Sequence, residues 1–309
     1  MHRSLTVLLT LIIAAPAPAW NKAGHMVSGA IAAAALRQDN PAAFSKVVEL
    51  LKAHPQFGER WSKRLEDAPD GDRDLMLFML AARWPDDIRD NADYHHSRWH
   101  YINMPFKPEG QPDSVVAPPP DPDNIVRAFE QNLAIVSSPT ASDDQKAIAL
   151  CWIFHLVGDA HQPLHAVALY TTDYPRGDKG GNSIMIRAKP DAAVINLHKF
   201  WDDLIIGSEN ARQTRNRATE LRLKKEFARE CLTELSEKKF ENWIKLESLK
   251  VAKEVAYRNG QMTGSPDAAK APVLPDDYIP QAKAAAERRM VLAGYRLAEV
   301  LTAACAAER

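Results

Sequence analysis

Apolar positions along this chain fall mostly into helix-length blocks, separated by punctuation rich in proline, glycine and asparagine. The segment from Gly24 to Leu36 is alanine-rich with few breakers, which predicts a helix. Asn40-Pro41 has the cap-then-proline order of a second helix start. Asp74 to Trp84 reads as an apolar helix that stops at Pro85, because proline disfavours helical geometry in the residue before it. Asp123 to Val136 is amphipathic. Asp143 to Ala160 is a strong helical run with Ser142 as its candidate cap. Phe227 to Tyr257 and Pro280 to Ala307 read as two long helices of mixed charged and apolar character, joined by a loop over Gly260 to Pro275. Proline-dense 104–122 reads as an extended surface loop, Thr171 to Asn182 as a polar, glycine-rich loop and Ser183 to Arg187 as a short strand. No repeat and no composition break divides the chain, so the expected fold is all-α, a single multi-helix domain.

The first residues change the picture. Arg3, an apolar run from Leu5 to Ala15, and Ala17-Pro18-Ala19 have the order of a secretory signal peptide, and the run is too short for a membrane span. The expectation is a leader over residues 1–19 and one domain over 20–309, secreted or periplasmic, with no stable membrane association. Cutting after Ala19 leaves a free α-amino group on Trp20. That amine and the Trp20 carbonyl oxygen can close a five-membered chelate on a metal. An exported chain can form disulfides, but its three cysteines leave at least one over. Cys231 with Cys305 is the expected pair and Cys151, in an apolar helix, the buried thiol.

A formal net charge of −1 excludes the broad basic face of a tight sequence-specific DNA binder. Chemistry concentrates instead in a few histidines and aspartates. His155 and Asp159 are four apart on one predicted helix and share a face. His165 follows beyond Gln162-Pro163-Leu164, where proline turns the chain. His198 and Asp202 repeat the four-residue spacing around Trp201, and Trp84-Pro85-Asp86 and Trp99-His100-Tyr101 lie upstream. Imidazole and carboxylate without thiolate suit a catalytic zinc site better than a structural one. Asp159 inside the apolar run 152–164 is costly unless it is paired or metal-bound.

In order, Trp20-x-x-x-x-His25, Trp84-x-Asp86, His100-Tyr101-Ile102, His155-x-x-x-Asp159-x-x-Gln162-Pro163-Leu164-His165, Gly180-Gly181-Asn182 and Asn196-Leu197-His198-x-x-Trp201-Asp202 resemble the S1/P1 nuclease family, secreted zinc-dependent single-strand nucleases and 3′-nucleotidases. The likeness runs from Trp20 to about Asp202; the last third matches only in being helical. It implies three Zn2+ in one cleft. Asp86, His100, His155 and Asp159 would hold the first. The Trp20 amine and carbonyl, His25 and a bridging Asp159 would hold the second, and His165, His198 and Asp202 the third. It implies a water activated between the first two ions, with Asp159 among the catalytic residues, and cleavage that leaves 5′-phosphates. Arg89 would donate to the phosphate, Tyr101 would stack on a base, and Asn182 would bond a base edge. Asn103 stands where fungal members carry Asp; an amide is no general base, so rate or pH profile is expected to differ.

The expected substrates are single-stranded DNA, RNA and 3′-nucleotides, and the expected state is a monomer. The nearest rival is a zinc phospholipase C, with related fold and chemistry but a lipid substrate; the short Trp20-to-His25 gap and Asp202 as last ligand disfavour it. A second rival, a non-catalytic secreted zinc-binding protein, is disfavoured by the open coordination positions and Arg89. His95 and His96 are read as solvated residues and His161 is left unassigned.

Overall fold

The structure, a computed structural model, describes residues 20–306; the leader and its cleavage lie outside the described residues. Among the described residues, eleven α-helices carry the fold: α1 (Lys22–Asp39), α2 (Pro41–Lys52), α3 (Ser62–Glu66), α4 (Arg73–Asp87), α5 (Ile125–Val136), α6 (Asp143–Asp159), α7 (Leu197–Asp202), α8 (Ala211–Leu223), α9 (Phe240–Asn242), α10 (Leu249–Val251) and α11 (Tyr278–Ala306). Their arrangement is all-α, as the apolar spacing predicts. Two small ladders punctuate it. Strands β1 (Met104–Phe106) and β2 (Val167–Leu169) pair in parallel, and β3 (Met185–Arg187) and β4 (Val194–Asn196) pair antiparallel.

Helix α1 is the hub, packing on α4, α6, α8 and α11. Small residues let its neighbours come close. A Cβ on Gly29 would sit 2.7 Å from the Phe78 carbonyl oxygen of α4, and one on Gly294 of α11 would sit 2.3 Å from Ile31 Cγ2. Helix α6 begins with a full capping box between Ser142 and Gln145. It is buried on every side over its last two turns, and a helix apolar all round belongs in a core. Phe154 stands edge-on to Phe78, with ring centroids 5.1 Å apart. Each such buried side chain contributes about 1.5–3 kcal/mol, and it is this apolar frame that carries the polar site.

Four expectations are corrected. Helix α4 runs through Pro85 to Asp87. Pro85 leaves the Ala81 carbonyl without an N–H partner, a single loss in a helix that ends two residues later, and the neighbouring Ala82 carbonyl accepts from His155 Nδ1 at 2.9 Å. The long helix expected over 227–257 is broken. Short 3-10 turns lead into α9 and α10, which π-helical turns at Trp243–Ser248 and Ala252–Ala256 join into one wide helix. The loop 104–122 opens with a paired strand, β1. The disulfide between Cys231 and Cys305 is not formed. Arg288 of α11 donates to the Cys231 carbonyl at 3.2 Å, and Cys305 lies about 25 Å further along the same helix, far beyond disulfide reach. Cys151 is buried, as expected.

The last third of the chain braces the centre. Arg296 of α11 is fully buried; it donates to His161 Nε2 at 2.8 Å and to Glu247 Oε1 at 2.6 Å. Arg289 pairs with Glu247 and donates to Ser248 Oγ, which in turn donates to the Ala160 carbonyl at 2.5 Å. These bonds hold the turn between α6 and His165. His161 is therefore a bracing residue, facing away from the aspartate two positions before it.

Candidate metal centre

Six elements deliver the predicted histidines and aspartates to one buried region. His25 comes from α1, Asp86 from the last turn of α4, His100 from a 3-10 turn (Ser97–His100), and His155 and Asp159 from α6. His165 comes from the 3-10 turn Pro163–Ala166, and His198 and Asp202 from α7. All eight residues are at most 4 % exposed. They fall into three groups whose ligand atoms lie within 4.8 Å of one another: His25, Asp86 and His155; His100, His155 and Asp159; and His165, His198 and Asp202.

The first two groups interlock through α6. Asp159 Oδ2 is 3.1 Å from His100 Nδ1 and 3.3 Å from His155 Nε2, whereas Oδ1 is 3.2 Å from His25 Nε2. The His155 ring is oriented from behind by the Ala82 carbonyl, which fixes its proton on Nδ1 and turns the Nε2 lone pair inward. Trp20 is fully buried beside them and its indole Nε1 donates to the Gly158 carbonyl at 3.1 Å. Asn21 then clasps the chain. Its Nδ2 donates to Asp203 Oδ1 at 2.9 Å and to the Ile206 carbonyl at 2.8 Å, and its Oδ1 caps α1 at Gly24.

In the third group, His165 Nδ1 donates to the His100 carbonyl and His198 Nδ1 to the Gly180 carbonyl, both at 2.6 Å. Their Nε2 atoms are 3.1 Å apart, and both are lone pairs in those tautomers. Two lone pairs at that separation repel unless a cation lies between them. Asp202 Oδ2 approaches His198 Nε2 at 3.7 Å, while Gln162 Nε2 holds the other oxygen at 2.7 Å. The β1–β2 ladder begins just past His100 and His165 and keeps these two turns side by side.

Both His25 ring nitrogens, His100 Nε2, Asp86 Oδ2 and Asp159 Oδ1 are buried without a hydrogen-bond partner. Orphaned donors and acceptors concentrated in one place are costly, and metal coordination is the usual resolution. The electrostatics agree. Burial, helped by neighbouring imidazoles, holds His25, His100 and His165 well below the ordinary histidine range, in the neutral form that binds metal. Burial pushes the Asp159 carboxyl up to about 6 and that of Asp202 well above its ordinary value. For His155, burial opposes the charged form, but the Asp159 and Asp86 carboxylates outweigh it and raise the pKa. The pocket is thus short of positive charge, and divalent cations would supply it.

Arg89 reaches the edge of this centre. Its Nη2 lies 2.7 Å and its Nε 3.1 Å from Asp86 Oδ1, and about a quarter of the side chain is exposed. Tyr101 and Asn103 are half-buried beside His100. The Asn182 amide donates to the Lys179 carbonyl at 2.9 Å, so part of its bonding capacity shapes its own turn. His95 is not simply solvated: its Nδ1 is buried, its ring centroid is 6.3 Å from that of His100, and Arg89 and Asp86 act on its charge. His96 stacks on Trp99 at 3.8 Å. Gly158, Asn21 and the Ala82 carbonyl also serve the centre; they carry no motif and become visible only once the helices meet.

The family described as S1/P1 Nuclease matches this chain over residues 20–306. The chain belongs to the S1/P1 nuclease family. That match takes in the last third, where the motifs fade. Among curated relatives, Endonuclease 4 of Arabidopsis thaliana is 27% identical over 310 residues, covering 91% of this chain and 88% of its own length. Endonuclease 5 of the same plant is 30% identical over 163 residues, and Endonuclease 3 is 30% identical over 173; each alignment spans about half of both proteins. As a member of this family the chain is a nuclease, a hydrolase acting on phosphodiester bonds. Its three His/Asp groups are the places that could hold the family's metal.

Proposed function

We propose that this S1/P1 family member is a zinc-dependent enzyme that hydrolyses single-stranded DNA and RNA to 5′-phosphorylated products, with 3′-nucleotidase activity at the same centre. The observation that supports it most is the convergence of eight buried imidazoles and carboxylates, several of whose ligand atoms face one another with no hydrogen-bond donor between them. Nitrogen and oxygen donors without thiolate fit zinc. In this reading Asp86, His100, His155 and Asp159 hold one ion, and His25, the Trp20 amine and carbonyl, and Asp159 hold a second. His165, His198 and Asp202 hold a third. When bound, the ions neutralise phosphate charge and supply an acidified water.

The chain's own groups do the rest. Asp159 fixes two ion positions with one carboxylate. Arg89, anchored by Asp86 but open to solvent on one side, donates to phosphate oxygens as charge builds on them. Tyr101 offers a face for an unpaired base, which favours single strands, and Asn182 offers polar atoms to its edge. In this reading the enzyme is exported, begins at Trp20 and acts as a monomer.

The test is a cleavage assay on protein that begins at Trp20. Single-stranded oligonucleotide should be cut faster than its duplex, 3′-AMP should release phosphate, and phosphatidylcholine should be left intact. EDTA should abolish both activities and zinc should restore them. Turnover that survives complete chelation overturns the metal dependence; preference for duplex, or release of diglyceride alone, overturns the substrate assignment.

A further inference from the structure

We infer that Asp178, held by Tyr257 from the last third of the chain, is a positioning residue for His198 and sets how tightly the third His/Asp group holds its ion. Asp178 is fully buried. It accepts four hydrogen bonds: from Tyr257 Oη at 2.6 Å, Leu169 N at 2.7 Å, Gly181 N at 2.7 Å and Gly180 N at 3.1 Å. A carboxylate ringed by backbone N–H groups stabilises a loop conformation that the backbone resists on its own. Here the loop is the turn with positive φ at Lys179 (58°), Gly180 (62°) and Gly181 (84°).

That turn has one output toward the metal group. The Gly180 carbonyl takes the Nδ1 proton of His198 at 2.6 Å, and the Gly181 carbonyl takes the His198 backbone N–H at 3.4 Å. Together they fix the tautomer and the ring direction that aim Nε2 at His165 and Asp202. The turn also needs glycine at position 180. A Cβ on Gly180 would lie 2.3 Å from the Leu164 carbonyl oxygen, on the turn that carries His165. Tyr257 is itself fully buried on the wide helix that precedes α11, and it spans 79 residues to Asp178. A chain of contacts therefore runs from Tyr257 through Asp178 and Gly180 to His198. It gives the C-terminal third, which carries no ligand, a part in metal binding.

This inference rests on reading the third group as a metal site. Partners that orient a ligand from behind are each worth about 10- to 100-fold in metal affinity. Replacing Asp178 with Asn turns an acceptor into an amide that must place N–H against N–H. Asp178→Asn, loaded with zinc and titrated with a graded chelator, should release one ion per chain at about tenfold or more lower chelator strength. The remaining ions should stay near wild type; the melting temperature should fall, because N–H meets N–H in a buried turn, so the deciding readout is the selective release of one ion. Tyr257→Phe removes a single bond without a clash and should move the same ion in the same direction by less. If Asp178→Asn does not fold, Tyr257→Phe decides.

Unchanged release of every ion in these variants overturns the inference. So does equal loosening of all ions, the mark of a merely structural role. A wild-type chain that binds no zinc sinks the metal reading of the site; that result is distinct from a zinc-loaded wild type with unaltered variants.

Discussion

Asp159 and His25 meet across the interface of α6 and α1, with Oδ1 3.2 Å from Nε2, while the other oxygen of the same carboxylate faces His100 and His155. One carboxylate thus faces both groups, which share His155 as their common member. Asp159→Asn should lower the metal content by more than one ion per chain and cut the cleavage rate by about 100-fold or more. Elemental analysis of the folded variant checks it; loss of a single ion would assign Asp159 to one group only.

Gly158 makes the meeting possible. A Cβ there would sit 2.7 Å from His25 Nδ1 and 3.0 Å from Cε1. Gly158→Ala should push the ring off its position, destabilise the protein by about 1–3 kcal/mol and reduce activity by about tenfold or more. Gly207→Ala, where a Cβ meets nothing within 4 Å, should change neither. Equal melting temperatures and rates in the two variants would contradict the close approach.

Trp20, which the proposed leader cleavage would make the first residue, gives a third test. Trp20 is fully buried, tied by its indole to Gly158, and Asn21 is clasped to Asp203 and Ile206. An extra residue ahead of Trp20 would remove the free amine of the proposed chelate. Such a protein should bind one zinc more weakly than the form beginning at Trp20, as chelator competition would show. Identical zinc affinity would remove Trp20 from the ligand set.

His54 supplies a pH dependence separate from the metal centre. It is 3 % exposed, flanked by Trp61 and Trp84, and burial with the nearby Arg60 charge lowers its pKa from 6.5 to about 4. Below pH 6.5 the unfolded chain takes up a proton that the folded chain refuses until about pH 4. The neutral ring therefore contributes stability at pH 7 that is lost as pH falls through that window, about 3 kcal/mol in all. In urea melts, wild type should lose that much more than His54→Gln between pH 7 and 4. The difference cancels the acid sensitivity that both proteins share through the metal centre. Parallel losses would show that His54 titrates normally.

The sequence by itself determined the helical class, because residues with 3.6-residue periodicity report burial locally. It also determined the metal-binding residue types, because a His-x-x-x-Asp pair is placed by helix geometry alone; His155 with Asp159 and His198 with Asp202 are such pairs. Capping at Ser142 and the turn at Pro163 were equally local. Only the tertiary structure decided the rest. Whether Asp159 faces one group or two depends on how closely α1 and α6 approach, which Gly158 permits. The break in the expected helix over 227–257 and the separation of Cys231 from Cys305 follow from how that segment packs under α11. Tyr257 and Asp178 lie 79 residues apart, and Arg296 and His161 lie 135 apart. No local period encodes such pairs, because a buried hydrogen bond is chosen by which surfaces end up facing each other once the core has closed.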